Sequence, residues 1–241
     1  MKKLSGKAAL ITGAGRGIGR ATAILFAEHG ANLILVSRTA EELRGASQLC
    51  ADRGVKAVWR TLDLSEGAQI DSFLDDVLRI HPRIDILVNN AARFDRGLMR
   101  QYPIERFEVM LRTNLLAPFY LAQKCLATMG PATGGAIVNI SSYSGCFGVE
   151  KYPGFGAYNI SKYGLWGLTE ILALENQDRG IRVNQISLSG VDTKMFREAF
   201  PQGGRPDLTP EEVAEKILFL ASDDSAPMTG MNIMMPEPDG E

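Results

Sequence analysis

The sequence predicts a three-layer, doubly wound α/β fold, with a seven-stranded parallel sheet flanked by helices, in one domain over residues 1–241. Three observations predict it. Short β-type runs alternate with longer helical patterns along the chain. Most of the runs are continuously apolar rather than alternating, as strands covered on both faces require. The length of 241 residues suffices to bury one large core without disulfide or metal staples, and α/β folds reach it as single units.

The first run, Ala8–Thr12, ends at Gly13, which opens a turn, and a helical pattern covers Gly17–His29. The run Asn32–Ser37 precedes a helix at Ala40–Arg53, and Ala57–Thr61 precedes one at Gly67–Ile80. Ile84–Asn89 leads into a long helical stretch, Ile104–Met129, and Ala136–Ser141 into a helix at Ala157–Gln177. After Val183–Ser187, Thr209 reads as the N-cap of a helix at Pro210–Ala221, with Pro210 at its first position and Glu211 and Glu212 in its first turn. Asn232–Met235 is the last strand. The alternation calls for right-handed crossovers. Arg197–Asp207 is the one long Gly/Pro-rich interruption, and the tail Pro236–Glu241 is expected to fray.

A net charge of −2 provides no overall basic field for nucleic acid or anionic lipid, though a local basic pocket is compatible with it. Cys50, Cys125 and Cys146 are an odd set without CxxC spacing, which points to reduced thiols; Cys146 reads as a space-filler. The apolar run Ala8–Ile11 is too short for a signal peptide, and none approaches the ~20 residues of a membrane span. A cytoplasmic protein is expected. His29 and His81 lack ligand spacing, so no metal is expected.

Thr12–Gly19 reads TGAGRGIG, between a strand and a helix. Glycines there let backbone N–H groups approach a pyrophosphate, and the helix N-terminus adds a favourable dipole. The TGxxxGxG spacing resembles that of the short-chain dehydrogenase/reductase family, and the resemblance spans nearly the whole chain. It implies a Rossmann-type fold and a nicotinamide dinucleotide held by Gly13, Gly15, Arg16, Gly17, Ile18 and Gly19. At the end of the second strand an acid would bind the ribose 2′-hydroxyl of NAD, whereas arginine suits a 2′-phosphate. The chain reads LILVSRTAEEL, so Ser37 and Arg38, with Arg16 closing on them, lead us to expect NADP(H). The bland alternative is two solvated arginines. Asp63-Leu64 resembles the family's adenine contact, and Asn89-Asn90-Ala91 its NNA segment, which sets Asn90 beside the cofactor; Ala92 replaces the usual glycine.

Tyr158 and Lys162, in YNISK, share one helical face at i, i+4. A cation beside a phenol favours phenolate, so Lys162 is expected to lower the Tyr158 pKa. With Asn114 in RTNLL and Ser142 in IVNISSYSG, these residues resemble the family's catalytic set. The resemblance implies Tyr158 as proton donor in reduction, Lys162 holding the nicotinamide ribose, Ser142 bonding the substrate carbonyl and Asn114 supporting a water-linked proton path to Lys162. Ser141 is the rival to Ser142.

Three departures stand out. The interval from Ser142 to Tyr158 is lengthened at CFGVEKYPGFGA, Ser189-Gly190 replaces Pro-Gly and relaxes the turn, and NIMMPEPDGE replaces the VDGG ending. Val191 and Thr193 still match cofactor contacts. Met195–Asp207 is expected to form a substrate lid, with Met195, Phe196 and Phe200 apolar and Phe94, Phe147 and Phe155 joining them; Arg93, Arg96 and Arg197 are candidate carboxylate binders. The expected activity is NADPH-dependent reduction of a ketone, such as a 3-oxoacyl thioester, by a homodimer or homotetramer. The rivals are an NAD(P)-linked alcohol or sugar dehydrogenase and a non-catalytic NADP(H)-sensing module.

Overall fold

The computed structural model describes residues 1–130 and 134–236. All seven expected strands form and join one parallel sheet in the order β3-β2-β1-β4-β5-β6-β7. These are β1 (Ala8–Thr12), β2 (Asn32–Ser37), β3 (Ala57–Thr61), β4 (Ile86–Asn89), β5 (Gly135–Ser142), β6 (Ile181–Leu188) and β7 (Asn232–Met235). The strand order reverses between β1 and β4, where Ile11 registers with Val36's neighbour Leu35 on one side and Val88 on the other. A crevice at such a switch point is where doubly wound sheets bind ligands.

The continuous apolar runs have the expected cause. Ala9 and Ile11 face one core with α1 (Gly17–Glu28), α2 (Ala40–Ala51) and α8 (Pro210–Ala221); Leu10, between them, faces the other with α3 (Gly67–Ile80), α5 (Ala117–Leu126) and α6 (Gly156–Glu175). The edge strand β3 departs from this pattern. Its Arg60 and Thr61 are exposed, because no strand covers its outer side. The α8 start is a full capping box: the Glu212 N–H donates to Thr209 Oγ1 at 3.2 Å and the Thr209 N–H to Glu212 Oε2 at 2.7 Å.

Two expectations are corrected. Ile104–Met129 is not one helix: α4 (Ile104–Leu111) passes into a five-residue π turn, Arg112–Leu116, before α5. Pro118 has no N–H to continue the i→i−4 ladder onto Asn114, so the helix widens there. The Gly/Pro-rich interruption begins inside a helix, α7 (Lys194–Ala199), whose N-cap Thr193 accepts the Phe196 N–H at 3.2 Å. Of the tail expected to fray, 237–241 lie outside the described residues, while the Pro236 carbonyl accepts a hydrogen bond from the Tyr143 hydroxyl. Among the described residues no helix is long and apolar enough to cross a membrane.

Candidate active site

One cavity of about 1120 Å³ lies over the switch point, with the glycine turn at one end and Ser142, Tyr158 and Lys162 at the other. The turn is built by close packing. A Cβ on Gly19 would stand 2.3 Å from the Gly13 carbonyl oxygen, so only glycine fits. The Asn90 side chain donates to the Thr12 and Gly13 carbonyls at 2.9 and 3.3 Å, and the N–H groups of Asn90 and Ala91 both donate to Thr12 Oγ1 at 3.0 Å. Asn90 lines the cavity, but its amide is spent on bracing the turn. The α1 N-terminus has neither a side-chain cap nor an acid in its first turn, which leaves the turn and helix start fit to receive a phosphate. Thr193 closes the far side: its Cγ2 would lie 3.2 Å from a Cβ on Gly17, whose φ of +52 is left-handed. Ile18 and Val191 also line the cavity, and Val191 bridges to Leu208.

At the adenosine end, Ser37, Arg38, Asp63 and Leu64 line the wall. Burial works against ionisation of Asp63, yet hydrogen bonds from the Ser65 backbone and hydroxyl, with the charges of Arg38 and Arg93, hold its carboxyl below the usual range. The expected two-arginine cradle contains a third member. Arg16 Nη1 lies 3.3 Å from Glu42 Oε1, and the space beside Gly15 is flanked by both Glu42 and Ser37. Glu42 lay in the quoted AEEL, but its reach from the first turn of α2 across to the glycine turn is a tertiary property.

At the catalytic end, β5 ends on Ser142, which caps the 3-10 turn Tyr143–Gly145 by accepting the Ser144 N–H at 3.1 Å. A Cβ on Gly145 would stand 2.7 Å from Lys162, so this glycine lets the turn press against α6. Ser142 and Tyr158 thereby line the same cavity, while Ser141 is buried with its Oγ unpartnered. Lys162 Nζ donates to the Ile140 carbonyl at 2.8 Å and lies 5.6 Å from the centre of the Tyr158 ring. Burial pushes the phenol up to about 12, opposed by the Ser142 side chain, and pushes the lysine down to about 7. This corrects the expectation of an acidified tyrosine: with both side chains buried, the loss of hydration favours their neutral forms over an ion pair. Asn114, in the π turn, accepts the Arg93 N–H at 2.7 Å and donates to the Arg93 carbonyl and to Ser161 Oγ at 2.9 and 3.0 Å. Ser161 in turn donates to the Tyr158 carbonyl at 2.7 Å, so Asn114 braces the helix turn that carries the phenol.

The lengthened loop is fastened rather than loose. Lys151 Nζ donates to the Tyr143 and Cys146 carbonyls at 2.9 and 2.6 Å. Phe147 does not join the pocket: it is 83% exposed and rests against Tyr163 and Trp166. Tyr152, which sequence reasoning missed, lines the cavity instead. Ser189-Gly190 does not leave a slack turn, because the Gly190 carbonyl accepts the N–H groups of Asp207 and Leu208 at 2.8 and 3.1 Å. Arg197 is paired with Asp192, and Arg96 lies over the Phe155 ring. His29 and His81 sit at the C-caps of α1 and α3.

A switch-point cavity that joins a phosphate-binding turn to a Ser–Tyr–Lys cluster defines a class, the dinucleotide-dependent oxidoreductases. Similarity to known proteins agrees with it. The family described as short chain dehydrogenase matches residues 7–203. The chain is 35% identical to the 3-oxoacyl-[acyl-carrier-protein] reductase FabG of Thermotoga maritima, covering 96% of each chain. Among solved structures, a short chain dehydrogenase of Shigella flexneri complexed with NADP superposes with TM-score 0.88 at 31% identity, over 97% of this chain and 98% of that one. Carveol dehydrogenase of Mycobacterium avium in complex with NAD superposes with TM-score 0.87 at 27% identity, over 98% of each. The chain belongs to the short chain dehydrogenase family, whose members bind nicotinamide cofactors.

Proposed function

We propose that this chain is an NADPH-dependent reductase of hydrophobic ketones, 3-oxoacyl thioesters among them, with Tyr158 as proton donor. The observation that carries the reading is the convergence of Ser142, Tyr158 and Lys162 on one cavity, with the tyrosine and the lysine both buried. When bound, the nicotinamide nucleotide supplies the hydride. Gly13, Gly15, Gly17, Ile18 and Gly19 would hold its pyrophosphate, Asp63, Leu64 and Asn90 flank its adenosine half, and Val191 and Thr193 its amide. Ser142 orients the substrate carbonyl. Tyr158 gives its proton to the carbonyl oxygen as hydride reaches the carbonyl carbon, and the phenolate regains a proton from solvent by way of Lys162 and the Asn114 segment.

Ser37, Arg38 and Arg16 support NADP(H). Glu42 favours a second reading, an NAD-linked alcohol dehydrogenase working oxidatively, since a carboxylate there suits a free ribose hydroxyl and opposes a 2′-phosphate. Parallel assays of NADPH and NADH with a ketone panel decide between them. Wild type is expected to prefer NADPH in kcat/KM, Arg38→Asp to lose that preference by about 10²-fold and Glu42→Gln to increase it severalfold. A preference for NADH that survives Glu42→Gln would sink the NADPH assignment.

The helices α5 and α6 cover one sheet face and leave Phe119, Tyr120, Ile171 and Leu174 exposed, which supports a homodimer or homotetramer. Sedimentation at the mass of a single chain would refute it. Free, buried Cys50, Cys125 and Cys146 support a reducing, cytoplasmic setting, which a localisation of the tagged chain outside the cytoplasm would contradict.

A further inference from the structure

We infer that the substrate carries an aromatic ring next to its carbonyl, an aryl ketone rather than a straight-chain one. This rests on the reductase reading and narrows its substrate. Six rings line the cavity in one unbroken chain that begins at the proton donor itself. Phe94 meets the Tyr158 ring edge-on, with centroids 5.4 Å apart and planes at 77°, and meets Phe155 at 4.7 Å and 65°. Phe155 then touches Tyr152 at 5.6 Å and Phe200 at 5.9 Å, and Phe200 touches Phe196 at 5.0 Å. Tyr152 and Phe200 close the circuit at 5.9 Å with planes at 86°.

The wall is held in place from behind. Phe155, its hub, is buried, and the guanidinium of Arg96 lies 5.4 Å from its centre. The Gly97 N–H donates to the Gly154 carbonyl at 2.9 Å, which ties the segment bearing Phe94 to the loop bearing Tyr152 and Phe155. Lys151 fastens the same loop to the turn after Ser142. A carbonyl bonded to Ser142 and Tyr158 therefore sets its substituent against rings at fixed angles. An alkyl chain gains only buried area from such a wall, whereas an aromatic ring also gains the edge-to-face attraction between quadrupoles. Two such contacts set a preference of about tenfold, equal to about 1.4 kcal/mol.

The test compares acetophenone with cyclohexyl methyl ketone, which differ in ring saturation but not in carbon skeleton. Calorimetry on the full chain gives Kd without turnover, and NADPH oxidation gives kcat/KM. Acetophenone is expected to bind about tenfold more tightly, and that ratio to shrink to threefold or less in Phe155→Leu. Phe94→Leu, at a half-buried position, gives the same reading if Phe155→Leu folds poorly. Equal Kd values, no measurable binding of either ketone, or a ratio unchanged in both variants overturns the inference. Preferential binding of acetophenone without its reduction by either nucleotide would sink the reductase reading and leave the ring wall standing. Reduction of both ketones with equal Kd and equal kcat/KM does the reverse.

Discussion

Tyr158→Phe is expected to lower kcat for ketone reduction by about 10³-fold while leaving the Kd for NADPH within about threefold of wild type. The substitution removes one oxygen from the cavity floor and keeps the ring, so Phe94 retains its edge contact at 5.4 Å. Ser142 cannot take over as donor with equal effect, since a serine hydroxyl is a far weaker acid than a phenol and is already engaged by the Ser144 N–H. The separation of turnover from nucleotide binding is the informative part. The glycine turn and the arginines proposed to hold the pyrophosphate and adenosine half lie at the other end of the cavity, which this change does not touch. Steady-state kinetics and a fluorescence titration of NADPH measure the two halves. Wild-type turnover in this variant would remove Tyr158 from the chemistry.

Lys162→Met is expected to stabilise the free protein below neutral pH while it reduces activity by 10²-fold or more. Burial lowers the Lys162 ammonium from an ordinary 10.5 to about 7. The folded-state pKa is thus below the unfolded one, so the unfolded chain holds the extra proton between the two values. The penalty for burying the charge is fully present below pH 7 and fades as pH rises towards 10.5. A methionine avoids it but leaves the Ile140 carbonyl without its 2.8 Å donor, which returns part of the gain. The net expectation is about 2 kcal/mol of added stability at pH 6, closing by about pH 10. Tyr158 acts in the opposite sense at the alkaline end: its raised folded-state pKa costs stability only above pH 10. Urea denaturation of both proteins across that range measures the difference. A variant less stable than wild type at pH 6 would show that Lys162 contributes more by bonding than it costs by burial.

A lysine proposed to serve activity at a cost in stability shows what spacing along a helix carries and what it leaves out. The spacing of YNISK placed Tyr158 and Lys162 on one face of a helix, and the structure keeps them there. Spacing does not carry the effect of burial, which raises the Tyr158 pKa and lowers that of Lys162, because an i, i+4 pair on an exposed helix and the same pair in a dry cavity obey different balances. In water, the ammonium favours phenolate; buried, each charge loses more hydration than the other returns. Phe147 and Tyr152 make the same point about packing. Five residues apart in one loop, both aromatic, they are distinguished only by which way the Lys151-fastened backbone carries them.

The features legible in the residues alone are those fixed by short-range spacing. The strand–glycine–helix unit at Thr12–Gly19, the seven runs and their alternation, the Thr209 cap and the shared face of Tyr158 and Lys162 all follow from neighbours along the chain, where backbone geometry leaves few choices. Long-range packing set the rest: Glu42 meets Arg16, Asn90 turns inward to brace Gly13, a π turn opens at Asn114 ahead of Pro118, and six rings from separate segments meet around one floor. Those outcomes depend on distances across the sheet and on how much water is removed when the elements dock, and neither is written in any local stretch of residues.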